Sequence, residues 1–154
     1  MEEKKIFKRM LQVGLVVKDL DATIKNYEAY GIGPWEVHTL DAKSIRDMTV
    51  HGERRDFAMR VAFAKIGEVE WELIQPLDDQ SVYSEFLEKH GDGLHHVAMD
   101  VEDFDETLSF CQGRGAGVIQ GGKAGKDFGF AYLDTAKDLA CITEIYNTPK
   151  KKKE

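Results

Sequence analysis

The sequence predicts an α+β fold in which one domain contains two copies of a β-α-β-β-β unit. Three observations lead to this prediction. The chain has 154 residues, the usual size of a single domain. Residues 12–24 are repeated at 96–108, with five of the thirteen aligned residues identical. In both copies the apolar residues first alternate and then follow the spacing of an α-helix, which indicates a strand followed by a helix.

Each copy begins with this strand and helix. In the first copy, the apolar residues of segment 11–17 alternate with Gln12 and Gly14, a pattern typical of a half-buried strand. The two helices are predicted to begin after Asp19 and Asp103, because aspartate is a favoured N-cap residue. Their predicted apolar positions are Leu20, Ile24 and Tyr27 in the first copy and Phe104, Leu108 and Cys111 in the second.

Three further strands complete each copy after a glycine-rich stop. They are predicted at residues 35–40, 58–66 and 69–75 in the first copy and at 118–120, 128–133 and 140–146 in the second. The first module therefore covers about residues 9–76 and the second about 93–147. Between them, a connecting helix is predicted over 81–90, with Ser81 as its N-cap and Gly91 as its stop.

Composition excludes several classes of function. The formal net charge of −7 argues against nucleic acid as a partner, because phosphate backbones are bound by clustered lysine and arginine. The basic segment 150–154 is predicted to be a disordered tail without a function of its own. No apolar run approaches the roughly 20 residues that span a bilayer, and no signal peptide is recognised. We therefore expect a cytoplasmic protein without a membrane partner, in which Cys111 and Cys141 are reduced.

Four polar residues occupy equivalent positions in the two copies. Gln12 and His96 lie in the first strand of each copy, and Glu72 and Glu144 lie in the last. Strand alternation directs all four away from the apolar face that covers the helices. If the two modules curve together, this face brings together an amide oxygen, two carboxylates and an imidazole.

Such a donor set suits a divalent metal ion, for which Zn, Co, Ni, Mn, Mg and Fe(II) are all candidates. The alternative is that these side chains face water on a half-exposed sheet, which is common in antiparallel sheets. His95 has the opposite alternation, and we interpret it as a packed or capping histidine.

The duplicated pattern with these four residues resembles the vicinal oxygen chelate superfamily, also described as glyoxalase/bleomycin resistance/dioxygenase proteins. Within it, the sequence is most similar to methylmalonyl-CoA epimerases. The similarity lies in segments 17–21, 61–63, 72–76 and 86–97, the last of which reads FLEKHGDGLHHV. The resemblance implies a glyoxalase-like fold: an open, barrel-like mixed sheet with the helices on the outside.

The resemblance also implies a site and an activity. Gln12, Glu72, His96 and Glu144 match the four metal ligands of the family, and Glu144 and Glu72 are the expected catalytic carboxylates. The implied activity is epimerisation of a CoA thioester by proton transfer through a metal-stabilised enolate. A homodimer is expected, because dimers are common in the superfamily. Phosphate groups of CoA would require positive charge, for which the candidates are Arg46, Arg54, Arg55 and Arg60.

Two alternatives stay open. Epimerases usually have histidine where this chain has Gln12, and the Gln/Glu/His/Glu set resembles that of animal-type glyoxalase I, a lyase that acts on a thiol hemithioacetal. Glyoxalase I, however, has an arginine for glutathione at the position of Val16. The second alternative is a metal-free binding protein, whose relatives usually lack the ligand residues. A ring-cleaving dioxygenase is disfavoured, because it requires two histidines and one carboxylate.

Overall fold

The structure is a computed structural model that describes residues 5–148, so the predicted tail at 150–154 lies outside the described residues. Within them, the chain forms one curled sheet of ten strands and four helices. The strands are β1 (Phe7–Val16), β2 (Glu36–Leu40), β3 (Ile45–Val50), β4 (Glu53–Arg54), β5 (Met59–Ile66), β6 (Val69–Pro76), β7 (Gly93–Val101), β8 (Val118–Ala124), β9 (Phe128–Leu133) and β10 (Ile142–Asn147). The helices are α1 (Leu20–Ala29), α2 (Val82–His90), α3 (Phe104–Gly113) and α4 (Ala136–Leu139).

The predicted duplication is confirmed. The sheet order β2-β5-β6-β1-β7-β10-β9-β8-β3-β4 contains two equivalent halves, in which β1 pairs with β6 and β7 pairs with β10 in parallel. The halves join through the antiparallel pair of β1 and β7. The first and last strands of both modules therefore occupy the middle of the sheet. The result is the open, barrel-like mixed sheet that the sequence analysis expected.

A hairpin in the first module was not predicted. Strands β3 and β4 lie between β2 and β5 in the sequence, but β3 pairs with β8 of the second module. Its buried residues Ile45, Met48 and Val50 do not alternate, because the register shifts between Arg46 and Thr49 and Asp47 has a φ of 53°. Because of this irregularity, the apolar residues of β3 do not show the period of two by which a strand is recognised in a sequence.

Two further boundaries differ from prediction in the second module. Strand β8 continues to Ala124, four residues beyond the predicted end. The strand predicted from residue 140 begins at Ile142, because α4 precedes it and ends at Leu139, followed by the C-cap residue Ala140 with a φ of 64°. A helix of four residues is too short to produce a recognisable apolar period.

The predicted helix signals are confirmed. The carboxylates of Asp19 and Asp103 accept hydrogen bonds from the backbone N–H groups of Ala22 and Glu106. Ser81 and Ser84 form a capping box at the start of α2, and Gly91 ends that helix. These caps satisfy backbone donors that have no partner inside a helix.

The core is divided by the sheet. Helix α1 packs on the convex face through Leu20 and Ile24, and α3 packs there through Cys111. A third cluster, which includes Val16, Met48 and residues of α2, fills the concave face. Both cysteines are free, as expected. Within residues 5–148, none of the helices is long and apolar enough to cross a membrane.

Candidate functional site

The four residues singled out by strand alternation lie together in the structure. They come from the four central strands: Gln12 from β1, Glu72 from β6, His96 from β7 and Glu144 from β10. His96 Nε2 is 3.2 Å from Gln12 Oε1, 3.4 Å from Glu72 Oε1 and 3.5 Å from Glu144 Oε1. None of the four residues is more than 8% exposed. The alternative of a solvated sheet face is therefore wrong, because the curled sheet encloses this face.

Gly14 makes this convergence possible. It lies opposite His96 in the pairing of β1 with β7, and the imidazole ring covers the position where a side chain would project. A Cβ atom on Gly14 would lie only 2.1 Å from His96 Cε1. Glycine at this position is therefore required for the ring of His96 to lie above β1 and meet its three partners.

The donor set fits a divalent cation. Metal–ligand bonds of about 2.0–2.2 Å place neighbouring donors roughly 3.0–3.5 Å apart, and the separations from His96 Nε2 lie in this range. Glu144 Oε1 is buried and has no hydrogen-bond partner among the described residues. Within the same residues, no three His, Cys, Asp or Glu side chains already enclose a metal-sized position. The fit to a cation therefore rests on the donor types and on their distances from His96 Nε2.

Burial changes the protonation of the ionisable members. It raises the pKa of Glu72 to about 8, and repulsion from Glu70 contributes to that rise. It also raises the pKa of Glu144 to about 7, although His96 opposes the change. The pKa of His96 is lowered by burial, so its imidazole is neutral near pH 7. Two carboxyl groups that can exchange protons near neutral pH thus lie beside an imidazole able to act as a ligand.

Strand pairing explains which further residues surround the four. Tyr132 lies opposite Glu144 in the pairing of β9 with β10, and Tyr146 shares the face of Glu144 on its own strand. Both hydroxyl groups interact with the Glu144 carboxylate and favour its ionised form. The Tyr132 hydroxyl also lies 2.6 Å from that of Tyr83. Glu70, two residues before Glu72, accepts a hydrogen bond of 2.7 Å from Gln12 Nε2.

These surrounding residues were not predicted from the sequence. For Glu70 and Tyr146 the signal was available, because each lies two positions from a chosen glutamate on the same strand face. For Tyr83 and Tyr132 it was not, because the position of Tyr132 depends on the register of β9 with β10 and that of Tyr83 depends on the contact of α2 with the second module.

A cavity of about 440 Å³ opens beside the four residues. Its wall includes Gln12, Glu72 and Glu144, whereas the rest of its lining is mainly apolar and includes Phe63, Met59, Ile45 and Phe130. A wider cleft of about 880 Å³ lies outside the sheet between α1 and β2 and contains none of the four. The smaller cavity is therefore the candidate binding site.

His95 is packed as predicted. It is 2% exposed and contacts the rings of Tyr83, Phe86 and Tyr132. Its Nδ1 lies 3.0 Å from the Nδ1 of His96. A hydrogen bond there leaves the Nε2 of His96 free to face the other three donors.

The four candidate arginines do not line the cavity. Arg60 pairs with Asp21 of α1 on the opposite side of the sheet, with N–O distances of 3.0 and 3.2 Å. Arg54 donates a hydrogen bond to the backbone carbonyl of Met48. Arg60 therefore lies away from the cavity, and phosphate binding by Arg46, Arg54 or Arg55 stays a prediction.

Comparison with known proteins gives matches over most of the chain. The family model of the glyoxalase/bleomycin resistance protein/dioxygenase superfamily matches residues 11–132. An ethylmalonyl-CoA/methylmalonyl-CoA epimerase of Cereibacter sphaeroides is 28% identical over 116 residues, which are 75% of this chain and 77% of that protein. The protein YqjC of Bacillus subtilis is 46% identical over 50 residues, so the match spans only 32% of this chain and 36% of YqjC.

A solved structure agrees with the sequence matches. The crystal structure of methylmalonyl-CoA epimerase from Mycobacterium tuberculosis aligns with a TM-score of 0.66 and 21% identity, over 97% of this chain and 95% of that one. At this level of identity, the similarity establishes a common fold. Activity has to be argued from the site.

Proposed function

Because the chain belongs to the glyoxalase/bleomycin resistance protein/dioxygenase superfamily, we propose that it is a metal-dependent epimerase of a CoA thioester, similar to methylmalonyl-CoA epimerases. One observation carries the proposal: two buried carboxyl groups and an amide oxygen lie in the wall of one largely apolar cavity, and all three are within 3.5 Å of the buried imidazole of His96. A solvated surface does not account for this arrangement, because all four side chains are buried. A bound cation would offset the cost of burying the two carboxyl groups in their charged form.

Gln12, Glu72, His96 and Glu144 would hold the metal. Once bound, a divalent cation would stabilise negative charge on two neighbouring substrate oxygens, such as the thioester carbonyl and carboxylate oxygens of a malonyl-type thioester. This stabilisation makes the proton on C2 more acidic, because C2 is bonded to both carbons that carry these oxygens.

The two glutamates would move the proton. We assign Glu144 to one side of C2 and Glu72 to the other. One carboxylate removes the C2 proton and leaves its electron pair in the enolate, and the other carboxylic acid returns a proton to the opposite face. In the metal-free protein the pKa values are about 8 for Glu72 and about 7 for Glu144, and a bound cation would favour the ionised, proton-accepting form of both groups.

A lyase of the glyoxalase I type is the second candidate. The amide oxygen of Gln12 favours it, because the resemblance connects this donor with animal-type glyoxalase I. Val16 disfavours it, because this residue is fully buried in the concave core where glyoxalase I has an arginine for glutathione. The expected homodimer and the identity of the metal stay predictions under either activity.

Deuterium incorporation tests the proposal. We expect methylmalonyl-CoA in D2O to gain deuterium at C2 far faster with the metal-loaded protein than with chelator-treated protein or without protein. Absence of incorporation by a protein that binds metal would rule out the epimerase. Activity on methylglyoxal with glutathione would then identify the lyase, and absence of both activities would favour a binding protein.

Metal binding should also depend on pH. Because the folded-state pKa values of Glu72 and Glu144 lie above their ordinary value of 4.5, stability from these groups is fully present below about pH 4.5 and is lost as pH rises from there through about 7 to 8. In metal-free protein, the contribution of these two groups to Tm should fall between about pH 4.5 and pH 8. Co²⁺ should raise Tm more at pH 8, where protons no longer compete with the ion for the two carboxylates. The double variant Glu72→Gln/Glu144→Gln is the control, and a wild-type pH profile identical to its profile would contradict the assignment.

A further inference from the structure

The side chain of Gln12 connects the candidate metal site to a carboxylate outside the four predicted ligands. Its Nε2 donates a hydrogen bond of 2.7 Å to Glu70 Oε1, while its Oε1 lies 3.2 Å from His96 Nε2. Gln12 is 5% exposed and Glu70 is half-buried, so water has little access to the amide. Both ends of the amide group therefore have defined partners.

The orientation of this amide decides whether Gln12 can act as a ligand. A glutamine amide has nearly the same shape when it is rotated by 180°, but only its oxygen has a lone pair to offer a cation. The oxygens of a carboxylate accept hydrogen bonds and donate none. Glu70 therefore selects the orientation in which the amide nitrogen faces away from the site and the oxygen faces His96.

The second module shows that this carboxylate is not a general feature of the repeat. Gln12 pairs with Glu70 in the parallel register of β1 and β6, and the equivalent register of β7 and β10 pairs His96 with Ile142. His96 needs no carboxylate at that position, because an imidazole, unlike an amide, has no oxygen and nitrogen that can exchange places. The ring of His96 is positioned by the Nδ1 of His95 instead. The carboxylate occurs only in the half of the molecule where the ligand is an amide.

We propose that Glu70 is a positioning residue that fixes the Gln12 amide with its oxygen toward the metal ion. This inference rests on the proposed metal site and extends it by one residue. Glu70 acts through Gln12, and the expected effect is on metal affinity. Groups that orient metal ligands in this way typically change affinity by roughly 10- to 100-fold when they are removed.

Metal titration of Glu70→Gln tests the role. Glutamine at position 70 can accept from Gln12 or donate to it, so both orientations of the Gln12 amide become available. We expect the Kd for Co²⁺, measured by competition with a chromophoric chelator, to rise by roughly 10- to 100-fold. Glu68→Gln is the matched control, because it removes the same charge from an exposed position two residues away and should leave the Kd unchanged.

A double variant provides the rescue. In Gln12→Glu/Glu70→Gln, the amide at position 70 donates to a carboxylate at position 12, which offers oxygen in either orientation. Co²⁺ affinity should return at least to the wild-type level, and thermal unfolding will verify that each variant is folded. Wild-type affinity in Glu70→Gln would overturn the inference while leaving the metal site intact. Failure of the wild-type protein to bind Co²⁺ or Zn²⁺ would contradict the metal site itself.

Discussion

Replacing Gly14 by alanine is expected to abolish metal binding and proton exchange together. The new Cβ atom would lie 2.1 Å from His96 Cε1, a distance that no relaxation of a few tenths of an ångström can accommodate. His96 is fully buried, so its ring can move only by displacing its neighbours. We expect Co²⁺ affinity to fall by more than about 100-fold, because loss of a ligand exceeds the usual cost of losing the group that orients it.

A double-mutant cycle can assign this effect to the clash. The melting temperature should fall in Gly14→Ala but change little when the same substitution is made in a His96→Ala background, because the ring that collides with Cβ is then absent. Gly113→Ala is the matched control, since its Cβ would have no heavy atom within 4 Å. Equal destabilisation by Gly14→Ala in both backgrounds would show that the ring of His96 is not the cause.

The four central residues were predictable because strand alternation and an internal repeat are both visible in the sequence. Successive side chains of a strand point to opposite faces, so a residue next to Gln12 in β1 or next to His96 in β7 would face the helices. The alternation therefore selects Gln12 and His96 without further information. Their burial was not predictable. This burial results from the curl of the sheet and from the hairpin of β3 and β4. The hairpin could not be recognised in the sequence, because its apolar residues are irregularly spaced.

Side-chain partners across strands were the least predictable part of the site. The contact between Gln12 and Glu70 requires the register of β1 with β6, and the position of Tyr132 requires that of β9 with β10. The need for glycine at position 14 appears only when the ring of His96 is placed above it. Local periodicity shows which face a residue occupies, whereas these relations depend on which strand lies beside it.

Replacing Glu144 by glutamine is expected to separate proton transfer from metal binding. Glutamine keeps a side-chain oxygen for the ion but cannot accept the C2 proton near neutral pH. Loss of a general base typically costs about 10²- to 10⁴-fold in rate, so epimerisation should fall by that factor while Co²⁺ remains bound. The exposed Glu102→Gln is the charge-matched control and should retain wild-type activity.

The stereochemistry of the remaining exchange gives the sharper test. If Glu144 and Glu72 serve opposite faces of C2, each single variant keeps one base and can still exchange the proton of one epimer with solvent without inverting it. Glu144→Gln should therefore incorporate deuterium into only one epimer of methylmalonyl-CoA, and Glu72→Gln should incorporate it into the other. If both variants lose exchange with the same epimer, the two glutamates do not act on opposite faces. If Glu144→Gln epimerises at the wild-type rate with metal bound, Glu144 is not the base.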